Sequence, residues 1–328
     1  MTVRLTRRGY ATLAVALIAV GFAAHSGPRS LNAVAGPALV AVGFAWLTLR
    51  RRREPTVTRR RPVPGFPGET REIELRVDAA GRAQVTDEVG EGLARVGPIQ
   101  PGGYSVELRE RGARRLGPAT VRETDAFGLL ATETTAGGRT ELLVYPPVEP
   151  LVPNRAFRGL VDRAGSPDRD AFESLREYTP GDPLRDVHWK SSAKREPGEL
   201  VVTQYATPDQ GAVTVVAEAA EGRADAMASA AASVVVYLLE AGIAVEVVAP
   251  DGTTDRGRGE DARDEALELL ARTGAGRPGV DGDVRLAAPA GTDEVRVATR
   301  GESFPFADLR ADDDSEAAHD ERQEVVSP

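Results

Sequence analysis

The chain has no cysteine among its 328 residues, and it has only two lysines, Lys190 and Lys194, against 39 arginines. Without cysteine there can be no disulfide framework, no thiolate zinc site and no cysteine nucleophile. Neither lysine follows a glycine, because Trp189 precedes Lys190 and Ala193 precedes Lys194. A Walker A loop requires Gly-Lys-Ser or Gly-Lys-Thr. The chain is therefore not itself a P-loop ATPase.

Histidine is almost as scarce, with three residues in the chain. His25 lies between two apolar runs and His319 lies in an acidic tail, which leaves His188 as the candidate general base. Two serines follow it closely, but a catalytic triad needs a third, orienting group from elsewhere in the fold. We expect a structural or ion-paired His188. The alternative is an enzyme of unknown reaction that uses His188 with Asp182 or Asp186.

Charge is divided unevenly along the chain, whose formal net charge is -9. Residues 1–61 contain 11 arginines and one glutamate, whereas residues 62–328 contain 30 basic and 49 acidic residues. The larger part is therefore strongly acidic. Such a surface repels phosphate backbones, so we expect no nucleic-acid partner.

Two long apolar runs lie near the N-terminus. The 20 residues from Gly9 to Pro28 and the 20 from Ser30 to Leu49 contain no Asp, Glu, Lys or Arg. Each run would be about 30 Å long as a helix, which is enough to cross a bilayer. The alternatives are a cleavable signal peptide for the first run and a buried helical hairpin for both. The sequence favours two transmembrane helices.

The arginines that flank these runs predict an orientation. Three arginines precede the first run, four follow the second, and one, Arg29, lies between them. Positively charged flanks stay on the cytoplasmic side of a membrane. We therefore expect residues 1–61 to form two transmembrane helices with a basic linker in the cell membrane, and the soluble domains to be cytoplasmic.

The next region, residues 62–150, has the period of two that half-buried strands show. Ile73, Leu75 and Val77 alternate with charged residues, and a second alternating run contains Tyr104 and Val106. Turn sequences such as DAAGR, QPGGY and TAGGR separate the runs. Short strands at this spacing predict an immunoglobulin-like β-sandwich.

Residues 211–310 instead alternate strands with helices. The runs VTVVAE and IAVEVV are strand-like, and a helical stripe between them ends at Gly242, a C-cap signal. The stripe consists of Met227, Ala231, Val234 and Leu238. A second helix with Ala262, Ala266, Leu269 and Leu270 on one face and a strand at VRVAT follow, so an α/β domain is predicted. GAGRPG at 274–279 matches G-x-G-x-x-G, but it follows a helix and contains Pro278, so we interpret it as a loop.

The remaining regions are residues 151–210, between these two domains, and residues 311–328, which are predicted to be a disordered acidic tail. The first contains YTPGDPLRDVHWKSSAKR, with both lysines and Trp189. Four cations and one acid, Asp186, lie between Arg185 and Arg195. One interpretation is an internal network with Trp189 as a buried anchor. The other is a docking surface for an acidic or phosphorylated partner, since Trp and Arg dominate interface hot spots.

The run AFESLREYTPGDPLRDVHWKSSAKREPGELVV resembles the signature of the domain of unknown function 58 family, which reads Phe, Leu-Arg-Glu-Tyr, Pro-Gly-Asp, Arg, Trp-Lys, Ala-Arg. The matching residues are Phe172, Leu175, Arg176, Glu177, Tyr178, Pro180, Gly181, Asp182, Arg185, Trp189 and Lys190. Lys194 stands where the family usually has arginine. The segments TDAFGLLATET and LLVYPPVEPL are also similar. The resemblance implies that residues 151–210 are the family's signature segment. Within it we expect the binding residues to be Arg176, Tyr178, Asp182, Arg185, His188, Trp189, Lys190 and Lys194.

The resemblance also implies a fold and a function. The family's downstream region is similar to a von Willebrand factor type A domain, whose metal site reads Asp-x-Ser-x-Ser. This chain has Ala217-Glu218-Ala219-Ala220 there, so no metal or other cofactor is expected. The family implies a non-enzymatic, membrane-anchored accessory or scaffold protein. Its implied partner is a MoxR-class AAA+ ATPase, in the assembly or activation of protein complexes.

Overall fold

The computed structural model describes residues 2–26, 32–165, 172–177, 201–205, 212–299 and 301–310. The chain divides into two compact units, Met1–Val144 and Tyr145–Pro328. The predicted acidic tail, residues 311–328, lies outside the described residues.

The first unit begins with a short strand and two helices. Strand β1 is Thr2–Leu5, helix α1 is Arg7–Ser26 and helix α2 is Asn32–Arg51. The helices contain residues 9–26 of the first apolar run and residues 32–49 of the second, and they pack against each other. Helix α1 starts where Thr6 Oγ1 accepts a hydrogen bond from the Gly9 N–H at 3.1 Å, which is an N-cap.

Eight further strands of this unit form two antiparallel sheets, one of which also contains β1. They are β2 (Thr56–Arg59), β3 (Thr70–Asp78), β4 (Arg82–Val89), β5 (Leu93–Gln100), β6 (Gly102–Leu108), β7 (Gly112–Thr124), β8 (Leu130–Ala136) and β9 (Thr140–Val144). One sheet has the order β1-β8-β7-β4, with β9 also paired to β7, and the other has the order β2-β3-β6-β5.

The two sheets share one hydrophobic core. Ile73, Leu75 and Tyr104 enter it from one sheet, and Leu116 and Val121 enter it from the other. The unit is thus rich in antiparallel sheet and compatible with the predicted β-sandwich. Two strands of these sheets lie outside the predicted span of 62–150. They are β1, which pairs with β8, and β2, which pairs with β3, and each is at the edge of its sheet.

The second unit combines a larger mixed sheet with helices. Its elements are α3 (Arg155–Gly165), β10 (Phe172–Glu177), β11 (Val201–Tyr205), β12 (Ala212–Ala219), α4 (Ala224–Glu240), β13 (Ala244–Ala249), β14 (Gly252–Thr253), α5 (Gly259–Arg272), β15 (Val284–Ala288), β16 (Arg296–Thr299), β17 (Glu302–Pro305) and a 3-10 turn at Phe306–Leu309. The sheet order is β14-β13-β12-β15-β16-β17. Strand β12 runs parallel to β13 and β15, and the three outer strands pair antiparallel.

The predicted strand–helix–strand unit is confirmed, with β12 and β13 parallel and α4 between them. All four residues of the predicted stripe on α4 are buried, and Gly242 follows the helix with φ +78°. Helix α4 packs against β12, β13 and β15. The predicted stripe of α5 is shifted slightly, since Leu267 and Ala271 are buried with Ala266 and Leu270.

Candidate functional sites

The structure describes two strands of the signature segment, β10 and β11. Strands β10 and β11 pair antiparallel, with Glu177 opposite Val201 and Arg176 opposite Val202. The residues that flank 178–200 in the chain, Glu177 and Val201, are therefore opposite each other. Of the predicted binding residues, the structure describes only Arg176, as part of the β10 backbone. The others lie outside the described residues, namely Tyr178, Asp182, Arg185, His188, Trp189, Lys190 and Lys194, as does Asp186 of the enzyme alternative.

A crevice lies at the carboxyl ends of the parallel strands in the second unit. The chain passes from β12 through α4 to β13 on one side, and then through α5 to β15 on the other side of β12. Open sheets bind ligands where the strand order reverses in this way. The crevice has a volume of about 280 Å³ and is lined by Glu218, Ala219, Ala220, Gly276, Arg277, Ala287, Ala288 and Pro289.

The one carboxylate in this crevice is already paired. An oxygen of Glu218 accepts hydrogen bonds from Arg277 Nε at 3.0 Å and from Arg285 Nη1 at 3.1 Å, and Arg285 also pairs with Asp281. The neighbours of Glu218 on β12 are alanines, which supply no side-chain oxygen. Within the described parts of the chain, no group of three His, Asp or Glu side chains could hold a metal ion.

The GAGRPG sequence is a loop, as predicted, and its residues Gly276 and Arg277 line this crevice. Gly276 and Ala219 exchange backbone hydrogen bonds of 2.9 and 3.0 Å. A Cβ at Gly276 would lie 2.7 Å from the Cβ of Pro250, so the close approach requires glycine. The sequence thus serves local packing at the end of β12, rather than the turn between a strand and a helix that binds a dinucleotide.

The two N-terminal helices expose a large apolar surface. Of the 18 large apolar side chains that are exposed in the described part of the chain, 12 lie on α1 and α2, among them Leu17 and Val40. By length and composition, Ala33–Arg51 is a candidate membrane span, and 17% of it is buried. This is one helix near the N-terminus that is long and apolar enough to cross a bilayer.

The start of α1 is held by the turn between β7 and β8. Thr6 donates from its backbone N–H to Leu129 O at 2.9 Å and from Oγ1 to Gly128 O at 2.5 Å. The buried carboxylate of Asp125 accepts hydrogen bonds from the N–H groups of Phe127 and Leu130, at 2.8 and 2.7 Å. Because both sides of the contact are hydrogen-bonded, the turn and the helix start are positioned together.

The end of α2 packs on the same hairpin. Ala45 and Leu49 of α2 form a small buried core with Leu129 and Leu130. Val3 and Leu5 of β1 pack against this core. The start of α1 and the end of α2, where the arginines lie, are therefore attached by buried contacts to the sheet that contains β7 and β8.

A buried polar network that the sequence did not predict joins the two sheets of the first unit. Arg59 Nη2 contacts both oxygens of Asp87 at 2.7 Å, and Tyr104 Oη donates to Asp87 Oδ2 at 2.6 Å. Burial and the hydrogen bond to Asp87 raise the pKa of Tyr104 well above its ordinary value. The sequence contained one indication of this network, because Asp87 alternates with Val85 and Val89 and therefore shares the core-facing side of β4 with them.

Comparisons with protein-family models, characterised proteins and solved structures find no match to this chain. The similarity to the domain of unknown function 58 family accordingly rests on the residues quoted above from the chain itself.

Proposed function

We propose that this chain is a membrane-anchored, cytoplasm-facing, non-enzymatic accessory or scaffold protein. The observation that carries the proposal is the concentration of exposed apolar side chains on α1 and α2. Apolar patches of this kind on a soluble protein mark an interaction surface or promote aggregation. A lipid bilayer would cover these side chains without cost, since lipid tails are as apolar as they are.

The proposal includes two membrane crossings. Helices α1 and α2 each contain 20 residues, which corresponds to about 30 Å. Arg7 and Arg8 begin α1, and Arg50 and Arg51 end α2. The positive-inside rule puts these ends, and the sheet to which they are attached, in the cytoplasm.

The second part of the proposal concerns the soluble units, as an immunoglobulin-like sandwich and a von Willebrand factor type A-like domain. The parallel strands β13, β12 and β15 with helices α4 and α5 support the latter. At the carboxyl ends of the parallel strands, where a metal site would lie, the carboxylate of Glu218 is paired with Arg277 and Arg285. That pairing favours a structural or protein-binding role for the edge over metal-mediated binding.

The third part of the proposal is that residues 178–200 dock an acidic surface of a MoxR-class AAA+ ATPase. The strands that flank the segment, β10 and β11, pair antiparallel, with Glu177 opposite Val201. The segment contains Trp189 and both lysines, Lys190 and Lys194, whereas residues 62–328 as a whole are acidic. Complementary charge at an interface raises association rates and selects partners. No observation on the described residues favours the alternative of an enzyme that uses His188 with Asp182 or Asp186.

Reversing the charge of the two lysines tests the docking. We expect Lys190→Glu with Lys194→Glu to preserve thermal stability and to remove the AAA+ ATPase from complexes purified from membranes and identified by mass spectrometry. The wild-type interaction should weaken as salt rises. The matched control is Arg82→Glu with Arg95→Glu, two exposed arginines of the first unit. If the lysine variant folds and retains every partner of the wild type, the docking proposal is wrong.

A further inference from the structure

A groove lies among β1, the start of α1 and the end of α2. Its volume is about 650 Å³, which falls within the range of about 300–1,000 Å³ typical of small-molecule sites. Leu5, Leu13 and Val42 supply aliphatic walls, Tyr10 and Trp46 supply aromatic rings, and Arg4 supplies a cation. No residue that lines the groove carries a carboxylate.

We propose that this groove binds one anionic phospholipid, with an acyl chain along the aliphatic walls and the phosphate at Arg4. The proposal rests on the membrane anchoring proposed above and adds a specific ligand to it. A lipid in this groove would be retained by the protein, unlike the exchangeable lipids that surround any membrane helix.

The position of the aromatic residues agrees with the boundary between headgroups and acyl chains. Tyr10 lies in the first turn of α1, and Trp46 lies in the last two turns of α2. Tyr and Trp are enriched at this depth because one part of the side chain is apolar and another is polar. The groove therefore extends from the headgroup level toward the acyl chains.

The charges at the groove select an anion. Arg4 is exposed on β1, where it lies opposite Ala131 of β8. The guanidinium carbon of Arg50 lies 4.9 Å from the ring centre of Trp46, which holds a second cation beside the groove by a cation–π contact. Two guanidinium groups near one apolar groove fit a phosphate that carries an uncompensated negative charge, as in phosphatidylglycerol.

The groove also has room that the protein does not fill. A Cβ added at Gly43, which lines the groove, would meet no atom within 4 Å. Gly36 on the same helix is equally open but does not line the groove. The two glycines therefore provide a matched pair on one face of α2, in which a large side chain would fill the groove at Gly43 and would lie two turns away from it at Gly36.

Native mass spectrometry of the full chain in detergent, with added phosphatidylglycerol or phosphatidylcholine, tests the proposal. We expect one retained phosphatidylglycerol on the wild type, about a tenfold or greater loss of binding in Gly43→Phe, and wild-type binding in Gly36→Phe. Arg4→Gln should reduce the preference for phosphatidylglycerol over phosphatidylcholine about fivefold, while Arg95→Gln, on the exposed edge strand β5, should leave it unchanged.

Equal lipid retention by Gly43→Phe and Gly36→Phe would overturn the site, as would a dimer or foreign polypeptide in place of the lipid adduct. An unchanged preference in Arg4→Gln would overturn the role of that arginine. Carbonate extraction of membranes from the same cells tests the anchoring separately. If carbonate releases the chain, the anchoring proposal fails, and titration of the released protein with dioctanoyl phosphatidylglycerol decides whether the groove binds lipid.

Discussion

Asp87 is a carboxylate in the core of the first unit, where its side chain is 0% exposed and that of Arg59 is 3% exposed. A buried ion pair is weak evidence of net stabilisation, because removing both charges from water offsets their attraction. Its partners, however, come from different sheets, since Asp87 lies on β4 whereas Arg59 and Tyr104 lie on β2 and β6. The network therefore fixes how the two sheets face each other.

Removing Asp87 leaves a buried guanidinium and a buried hydroxyl without their shared acceptor. We expect Asp87→Ala to lower the free energy of unfolding by about 3–5 kcal/mol, measured by urea denaturation of the full chain in detergent micelles. Glu74→Ala is the control, because it removes the exposed ion pair with Arg60 and should cost about 0–1 kcal/mol. Equal effects of the two substitutions would show that the network contributes no more than a surface pair.

Tyr104 predicts a dependence of stability on pH. Its pKa is raised by burial and by the hydrogen bond to Asp87, so above about pH 10 the unfolded chain releases a proton that the folded chain retains. The free energy of unfolding should therefore fall as pH rises through about 10, by up to about 1.4 kcal/mol per pH unit from this group.

The control for this pH dependence is Tyr104→Phe, which should cost about 1.5–3 kcal/mol at neutral pH because it removes a hydrogen bond to a charged group. It should then lose less stability than the wild type between neutral pH and about pH 11. Tyr145, whose pKa is also raised, remains in both proteins and contributes equally. Parallel pH profiles for the two proteins would contradict the assignment to Tyr104.

At the scale of elements, the features that the sequence predicted are those with a local period. Met227 and Leu238 belong to a helical stripe within one segment, and they are buried on α4. Strand β15 was not predicted, although it lies at the centre of the sheet, because Val284–Ala288 has a single β-branched residue and ends in two alanines, and it acquires its partners from β12 and β16. Strands β1 and β2 likewise exist through pairing with distant strands.

The same distinction applies to the sites. The two lysines and Trp189 drew attention to the signature segment by composition, and of its predicted binding residues the structure describes only Arg176, within strand β10. The pairing of Glu218 with Arg277 and Arg285 could not be predicted, since the two arginines come from a loop and from a different strand. Contacts of this kind depend on the register between β12 and β15, which no single stretch of sequence specifies.

The carboxyl edge of the larger sheet predicts a result with metal ions. We expect no saturable binding of Mg²⁺ or Mn²⁺ to the full chain by calorimetry, because Glu218 is paired with two arginines and Ala217 and Ala219 provide no oxygen ligands. Glu218→Gln should give the same heats as the wild type. Micromolar affinity that Glu218→Gln abolishes would show that the edge is a metal site.

At the scale of the whole molecule, the basic N-terminus and the acidic remainder have different roles in the proposal. Arginines flank α1 and α2, and the hydrogen bonds of Thr6 and the core around Leu49 attach those helix ends to the hairpin of β7 and β8. If the helices cross a membrane, the sheets of the first unit are held against its surface in one orientation, without a flexible tether. The orientation of the helices then decides which compartment the first unit occupies.

The absence of cysteine allows this orientation to be measured with single cysteines. Ser26 is the last residue of α1, and Val96 is exposed on β5 of the first unit. We expect Ser26→Cys to react with an impermeant maleimide in intact cells, and Val96→Cys to react only after permeabilisation, because the positive-inside rule predicts that the arginine-rich helix ends stay in the cytoplasm. Labelling of Val96→Cys alone in intact cells would reverse the orientation and place the partner outside the cytoplasm. Labelling of both variants in intact cells would mean that α1 does not separate the two positions, and the two-crossing topology would be wrong.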